Sequence, residues 1–319
     1  MSTVAVGNVP NYVVHKEKQY YAVQGEDGAN SGTLVRKINS PSVNPYLKNH
    51  DVAILEILAN QRTGMLFTAG AEISYLTMEG TGEICFSQEC VATCPVLDEK
   101  LTMRSLGGQS YSLKPLSIAT VPHVKDSPMG TIHQITNIGK GVLRIVRAVS
   151  PRFAISTTEW MYKRTSAYTD YVVDSMKTYS VRPNEGIEIH EAANGVNGSG
   201  LKAHSAAIVT MQPQAYTIAH YHPPGIEESY VILSGKPTMM MDGGKYVAME
   251  NGGQEMEPGD IVAIPPQTAH QIVNLSDEEV NFVVYSAPQW QFSTEIPITG
   301  SIEDQERWPD VTKENGWIL

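Results

Sequence analysis

Long apolar runs and clusters of basic residues are both missing from this sequence of 319 residues. No segment approaches the ~18 consecutive apolar residues that a membrane helix needs, and the first residues lack the apolar core of a signal peptide. Lys and Arg total 23 against 34 Asp and Glu, which gives a net charge of -11. Nucleic acid and membranes are therefore not expected as partners, and we expect a cytoplasmic protein.

Cysteine is scarce as well, with Cys85, Cys90 and Cys94 the only three. An odd number in a chain of this length argues against a disulfide framework. Their spacing matches no familiar zinc-ligand pattern, and a fourth ligand is not evident. We interpret them as reduced thiols in a strand and the loop that follows it.

An internal repeat organises the chain. Three blocks of the first half match three blocks of the second half in the same order: residues 49–58 with 203–212, 70–80 with 225–235, and 133–137 with 270–274. The first pair of blocks is offset by 154 positions (50 to 204) and the second by 155 (70 to 225). Matched blocks in a fixed order indicate two copies of one fold.

Each copy consists of short apolar or alternating segments such as SYVILSG, DIVAIP and NFVVYSA. Clusters of Gly, Pro, Asn and Asp such as MDGGK and IPPQT separate these segments, and such clusters are typical of turns. Many short strands at close spacing, with little helical periodicity, predict an all-β protein built from antiparallel sandwiches or barrels of the jelly-roll class.

Three histidines and a carboxylate in the second half are spaced to bind one metal ion. His220 and His222 are two residues apart and so point to the same face of a strand, while Glu228 and His270 come from two other strands. A carboxylate inside a barrel without a countercharge would cost several kcal/mol, and a cation removes that cost. Imidazoles and a carboxylate suit a divalent first-row metal such as Fe, Mn, Ni, Cu or Zn, and the donor set does not choose among them; our expectation is Fe(II), with Mn, Ni, Cu or Zn as alternatives.

The second half resembles the cupin family. The family's first motif is filled by His220, His222, Glu228 and Gly235, and its second motif by Gly259, Pro265, His270 and Asn274. With the repeat, the resemblance implies two cupin barrels (double-stranded β-helix, jelly-roll) in tandem, similar to the bicupins of quercetinase and dioxygenase type. It also implies homodimerisation, which is common in that family.

The sequence departs from the cupin pattern in three places. Gln214 and Gln267 stand where the family usually has glycine, and five residues separate His222 from Glu228 where three or four are usual. Glu227 would restore the common spacing, but strand alternation counted back from the hairpin glycine favours Glu228 as the ligand. We therefore expect Glu227 at the rim of the barrel.

The first copy lacks most of the donor set. At the aligned places it carries Met65, Phe67 and Ile73, and only His133 is retained. One imidazole cannot hold a labile metal ion, so we predict a degenerate, metal-free barrel. His133 is interpreted as a hydrogen-bonded relic.

The predicted organisation follows from the repeats: an N-terminal arm (1–45), a degenerate cupin domain (46–156), a linker (157–180), a metal-binding cupin domain (181–295) and a C-terminal tail (296–319). The Trp-bearing segment from about residue 290 is expected to pack back on a domain or a second subunit.

Function depends on the pocket rather than on the fold. Alternation from the ligands predicts a mostly apolar lining: Tyr216, Ile218, Tyr230, Ile232, Met239, Met241, Val262, Ile264, Ile272 and Phe282. No basic residue lies within the two motifs, so a small, largely apolar or aromatic substrate that chelates the metal is favoured over a sugar phosphate.

The first hypothesis is a metal-dependent oxidoreductase, a dioxygenase in which substrate and dioxygen share the open metal positions. Glu228 would be ligand and base, and Tyr230 would hydrogen-bond the developing oxyanion. The alternatives are an isomerase, lyase or decarboxylase that uses the ion as a Lewis acid, or a cupin that binds a small molecule without turnover.

Overall fold

The computed structural model describes the strands and their nearer connections. The described residues are 13–14, 21–24, 30–39, 49–63, 66–67, 71–86, 110–121, 132–150, 172–173, 177–179, 186–193, 201, 203–241, 253–290 and 294–297. Cys90, Cys94, Trp308 and Trp317 lie outside these residues. The described part of the chain holds no helix long and apolar enough to cross a membrane.

The first half of the chain contributes eleven described strands. They are β1 (Val13–Val14), β2 (Tyr21–Gln24), β3 (Asn30–Asn39), β4 (Asp51–Ile57), β5 (Leu66–Phe67), β6 (Glu72–Glu79), β7 (Gly82–Phe86), β8 (Ser110–Leu113), β9 (Ile118–Val121), β10 (Ile132–Asn137) and β11 (Leu143–Ser150).

The second half repeats the series and adds one strand. These strands are β12 (Val172–Val173), β13 (Lys177–Tyr179), β14 (Ile187–Ala193), β15 (Ser205–Met211), β16 (His220–Tyr221), β17 (Glu227–Ser234), β18 (Thr238–Met241), β19 (Gln254–Glu255), β20 (Ile261–Ile264), β21 (His270–Val273), β22 (Val280–Ala287) and β23 (Ile296–Pro297).

The sheets confirm the duplication strand by strand. One seven-stranded sheet has the order β12-β9-β6-β11-β4-β3-β2 and the other has the order β1-β20-β17-β22-β15-β14-β13. Each strand of the first half corresponds to the strand eleven places later in the second, apart from the exchange of β1 and β12. The smaller sheets, β5-β10-β7-β8 and β19-β18-β21-β16-β23, follow the same rule. The protein is all-β, with two jelly-roll barrels in tandem.

The exchanged strands connect the barrels. β1 pairs with β20 of the second barrel, and β12 pairs with β9 of the first. Strands β1 to β3 lie in the predicted arm, β12 and β13 in the predicted linker, and β23 in the predicted tail. Each large sheet is therefore completed by a segment predicted to lie outside its domain.

Successive side chains along the strands of the large sheets point alternately into two different hydrophobic cores. In β4, Ala53, Leu55 and Ile57 point into the first barrel, whereas Val52 and Ile54 point outward. The outward residues meet the outward face of the second barrel, which contributes Ile208, Val231, Ile261 and Val283 among others. The central strands thus have apolar residues on both faces because the barrels pack on each other through their large sheets.

Gln214 and Gln267, which stand where the cupin pattern usually has glycine, have the left-handed backbone conformation that glycine adopts most easily. Gln214 has φ 64° and Gln267 has φ 62°, both in the left-handed region that costs a residue with a side chain roughly 1–2 kcal/mol. The Gln214 amide offsets part of this cost by bonding the carbonyls of Leu275 and Ser276. The Gln267 backbone N–H bonds the carbonyl of His222 at 2.9 Å, so this turn fixes the position of a predicted ligand.

Candidate metal centre

Four donors from three strands of the second barrel meet at one place. His220 lies on β16 directly opposite His270 on β21, and Glu228 lies on β17. His222 follows β16 by one residue and shares a face with His220. All four side chains are buried, and one ligand atom from each lies within 4.8 Å of every other. The structure brings together the four side chains that the motifs predicted as ligands.

A backbone carbonyl orients each imidazole. The Nδ1 atoms of His220, His222 and His270 donate to the carbonyls of Ile218, Thr294 and Thr268 at 2.7, 2.7 and 2.9 Å. Since a carbonyl can only accept, Nδ1 carries the proton in all three rings. Neutral rings then present the Nε2 lone pair toward the centre, as metal-binding histidines do.

Three of the atoms that face the centre have no hydrogen-bond donor beside them among the described residues. Within the described part of the chain, Nε2 of His222, Nε2 of His270 and Oε2 of Glu228 are buried without a hydrogen-bond partner. Glu228 Oε2 lies 3.0 Å from His222 Nε2 and 3.4 Å from His270 Nε2. Lone pairs turned toward one another at such distances repel unless a cation lies between them. The residues therefore fit a divalent first-row metal ion.

The surroundings of His220 and Glu228 favour the ionisation states that metal binding requires, whereas those of His222 favour a proton. Burial, reinforced by nearby His270, lowers the pKa of His220 to about 4, so the ring is neutral at pH 7. Burial would raise the pKa of Glu228, but His222 and His270 outweigh it and hold the pKa well below its usual value. For His222, burial opposes the charge, yet Glu228 raises the net pKa. An ion at this point would compete with a proton on His222.

A mostly apolar cavity of about 120 Å³ opens on the centre. An apolar cavity of roughly 150 Å³ holds one benzene ring, so the space suits a small molecule. Its described walls contain no Arg or Lys. They are formed by Ile187, Ile189, Ser205, Ala206, Ala207, Val209, Thr217, His220, Glu228, Tyr230, Phe282, Val284, Ser286, Trp290 and Glu295.

Tyr230 borders the cavity and also contacts the centre. Its ring stacks on Phe282 with centroids 5.3 Å apart and meets the edge of His270 at 5.9 Å. Burial raises the pKa of the Tyr230 hydroxyl well above its usual value, and the Glu228 charge raises it further. Tyr230 is therefore a neutral hydrogen-bond donor. Only Tyr230 and Phe282 among the ten residues predicted to line the barrel border this cavity. Six others pack in the barrel core: Ile232, Met239, Met241, Val262, Ile264 and Ile272.

Three contributors to the site come from the segment after the last motif. Thr294 accepts from His222 through its carbonyl, and Trp290 forms part of the cavity wall. Glu295 also borders the cavity, with Oε1 4.0 Å from His220 Nδ1 and the side chain 34% exposed. Thr294 and Glu295 return to the site because they directly precede β23, which pairs with β16, whereas the Trp290 backbone N–H donates to Ser205 Oγ. Neither spacing nor alternation identified these residues, although the tail was expected to pack back on a domain.

Glu227 points away from the centre, and its predicted place at the rim is wrong. Its side chain is buried against the first barrel, with Oε2 accepting from the backbone N–H of Asn49 at 2.8 Å and lying 3.3 Å from His50 Nδ1. The rim expectation assumed a free outer face. In the structure the first barrel covers that face. The Glu227 carboxylate therefore contacts the first barrel, whereas the Glu228 carboxylate points to the metal centre on the other side of the strand.

The first barrel has other side chains at the corresponding positions. His133 is buried and its Nε2 lies 2.7 Å from the Tyr75 hydroxyl, as expected for a hydrogen-bonded residue. Ile73 takes the place of Glu228. Leu66 on β5 lies opposite His133, as His220 lies opposite His270. The alignment that put Met65 at the place of His220 and Phe67 at the place of His222 is therefore wrong by one residue, because the loop before β6 is shorter than its counterpart before β17. Met65 itself is outside the described residues.

Comparisons with known proteins agree with this architecture. A family model described as the cupin domain matches residues 207–286. An uncharacterized protein of Methanocaldococcus jannaschii is 30% identical over 129 residues, which is 40% of this chain and 92% of that protein.

Solved structures resemble the whole chain. The Lactobacillus farciminis oxalate decarboxylase, in its formate complex, has a TM-score of 0.65 at 13% identity, covering 97% of this chain and 96% of that one. A Bacillus subtilis oxalate decarboxylase, studied for its Mn(II) centres, has a TM-score of 0.58 at 14% identity, covering 97% and 86%. At these identities the likeness shows the fold alone.

Proposed function

Because this chain belongs to the cupin superfamily, as a bicupin with the four-donor cluster in its second barrel, we propose that it is a metal-dependent lyase of the decarboxylase type. The observation that carries the proposal is a preorganised set of three Nε2 atoms and one carboxylate oxygen facing a small apolar cavity. His220, His222, Glu228 and His270 would hold the ion.

When bound, the ion would supply a Lewis acid that polarises the ketone carbonyl of the substrate and leaves the substrate carboxylate free of the metal. Mn(II) and Fe(II) are both suited to this donor set. The Bacillus subtilis oxalate decarboxylase contains Mn(II), whereas our expectation from the sequence is Fe(II), so both ions are candidates.

A 3-oxo acid with an apolar body fits the cavity. Apolar walls such as Val209 and Phe282 exclude water from the substrate carboxylate, and poor solvation favours its conversion into neutral CO2. As the bond between the carboxyl carbon and its neighbour breaks, the electron pair moves onto the ketone oxygen. Tyr230, a neutral donor, would hydrogen-bond that oxygen.

Glu295 would complete the reaction by handling a proton. The enolate left after CO2 departs needs a proton on carbon, and Glu295 lies at the cavity edge where it is one-third exposed. That exposure lets the carboxyl group take a proton from solvent and deliver it into the cavity. Tyr230 and Glu295 thus have separate roles, one on the oxygen and one on the carbon.

Oxalate is a poorer candidate for this chain than for its structural neighbours. It is a dianion without an apolar body, and the described walls offer it no Arg or Lys. The carboxylates of Glu228 and Glu295 would add repulsion. We therefore propose a larger, less charged acid.

A dioxygenase remains the second candidate because the cavity is apolar and its volume of about 120 Å³ approaches the roughly 150 Å³ that holds one aromatic ring. A catechol-like substrate could chelate the ion and leave dioxygen a place beside it. Oxygen dependence separates the two functions.

The test loads the protein with Mn(II) or Fe(II) and supplies 3-oxo acids with aliphatic or aromatic tails under argon. We expect CO2 release at the same rate with and without oxygen. Oxygen uptake in proportion to product would overturn the lyase in favour of the dioxygenase. A spectral change on substrate addition without CO2 release or oxygen uptake would indicate a binding protein.

Glu295→Gln is expected to lower kcat by roughly 100-fold because general acid catalysis contributes about that much. KM should change little, since the amide keeps the shape of the cavity. Glu188→Gln, an exposed carboxylate on β14 of the same barrel, serves as the matched control. Equal kcat values for Glu295→Gln and the unaltered protein would rule out this role.

A further inference from the structure

The first barrel contacts the strand that carries the carboxylate ligand. On β17, Glu227 and Ser229 flank Glu228 and point to the opposite side. Both meet His50 of the first barrel: its Nε2 lies 2.8 Å from Ser229 Oγ and its Nδ1 lies 3.3 Å from Glu227 Oε2. The Asn49 backbone N–H also donates to Glu227 at 2.8 Å. One imidazole thus contacts the residues on either side of Glu228, through a hydrogen bond with Ser229 and a close approach to the Glu227 carboxylate.

The same contact exists in the reverse direction. His204 of the second barrel has Nε2 2.9 Å from Ser74 Oγ and Nδ1 4.0 Å from Glu72 Oε2. The Ala203 backbone N–H donates to Glu72 at 2.6 Å. On β6, however, the residue between Glu72 and Ser74 is Ile73, which is not a metal donor. We call each histidine, with the Glu and Ser that it contacts on the other barrel, a clamp. The His50 clamp contacts β17, which carries the candidate ligand Glu228, whereas the His204 clamp contacts β6, which has Ile73 at that place.

We propose that His50 and Asn49 of the degenerate barrel are positioning residues for the metal centre, acting through Glu227 and Ser229 to fix the Glu228 carboxylate. The inference rests on the proposed metal site, and it assigns a role to the first barrel, which lacks most of the metal donors. Fixing the two neighbours of Glu228 fixes its backbone and the direction of its side chain, since alternation leaves a strand residue little freedom when both flanking residues are held.

The His50 clamp has one contact that the His204 clamp lacks, as expected if it positions a ligand. The Asn49 side-chain amide donates to the carbonyl of Gly225 at 2.9 Å. Gly225 lies in the connection between His222 and Glu228, which is longer than the cupin pattern usually allows. Ala203, the counterpart of Asn49, has no side-chain amide. The extra bond is therefore found on the side with the donor cluster, where it holds the loop between two candidate ligands.

Burial gives the clamp its strength. His50, Glu227 and Ser229 are each 1% exposed or less. Removing the His50 nitrogens takes away the hydrogen bond to Ser229 and the polar atom that faces the Glu227 carboxylate, which is costly in a buried place, and a strand shifted in response would carry Glu228 away from the three Nε2 atoms. Tight packing between the barrels prevents solvent from replacing the imidazole.

The equivalent clamps provide a matched experiment. His50→Phe and His204→Phe each keep a ring of similar size and remove both nitrogens. Each apo variant is compared with the unaltered protein by thermal unfolding, by Co(II) affinity in competition with a chelator, and by the visible absorption spectrum of bound Co(II). We expect both substitutions to lower Tm, whereas only His50→Phe weakens Co(II) binding, on the order of 10-fold, and changes the Co(II) spectrum.

Ser229→Ala and Ser74→Ala repeat the comparison with smaller changes, in case a phenylalanine variant does not fold. Equal Co(II) affinities and spectra for the two members of either pair would overturn the positioning role. Failure of the unaltered protein to bind Co(II) would instead overturn the metal site and the function proposed from it. Weaker Co(II) binding in Ser229→Ala but not in Ser74→Ala would support the clamp.

Discussion

Replacing His220 and His222 together by alanine is expected to abolish metal binding. The change removes two of the four donors, and the remaining His270 and Glu228 cannot enclose an ion. Elemental analysis after dialysis against metal-free buffer should find the ion in the unaltered protein and not in the double variant. The rise in Tm that Mn(II) or Fe(II) gives the unaltered protein should vanish as well, because only a bound ligand shifts that equilibrium.

His133→Ala is the control for this double substitution. It removes a buried imidazole from the first barrel, where the ring is hydrogen-bonded with Tyr75. We expect a lower Tm and an unchanged metal content. Metal retained at full stoichiometry in the His220→Ala/His222→Ala protein would refute the site in the second barrel.

The second large effect concerns the adjacent carboxylates. Glu228→Gln removes the anionic donor and should weaken metal binding by more than the roughly 100-fold that the loss of an outer partner can cause. Glu227→Gln keeps all four donors and disturbs only the contact with Asn49 and His50. Its effect on metal affinity should be about 10-fold, together with a lower Tm. Chelator competition with Co(II) measures both variants on one scale.

The reverse ranking, with Glu227→Gln the weaker binder, would mean that the carboxylate donor has been assigned to the wrong residue. The two substitutions are well matched because the residues are neighbours, equally buried and of the same type. The side of the strand to which each points is the main difference between them.

Sequence patterns predicted the donor set because each part of it is local. A spacing of two places His220 and His222 on one face, and alternation separates Glu228 from Glu227. The same patterns could not show that the outer face of β17 is covered, since that depends on how the two barrels pack. Glu227 was therefore expected at the rim although it is buried.

The parts of the site that went unpredicted come from distant segments. Glu295 and the Thr294 carbonyl reach the centre through the pairing of β23 with β16, for which a two-residue strand gives almost no signal. The one-residue slip at Met65 arose because a repeat offset is uncertain where loop lengths differ between copies. His50 and His204 were aligned as equivalent from the sequence, but their roles depend on partners 179 and 130 positions away.

The exchange of β1 and β12 bears on how the chain reaches its native state during synthesis. Val13 pairs with Val262, so the first strand must wait until most of the chain has left the ribosome before it finds its place. β12, in turn, must return to the barrel made before it. Each large sheet is complete only after a strand from outside its own barrel has paired with it, and pairing over the separation between β1 and β20 slows folding. A nascent chain stalled after the first barrel would expose an unpaired strand edge, where chaperones or other nascent chains could bind.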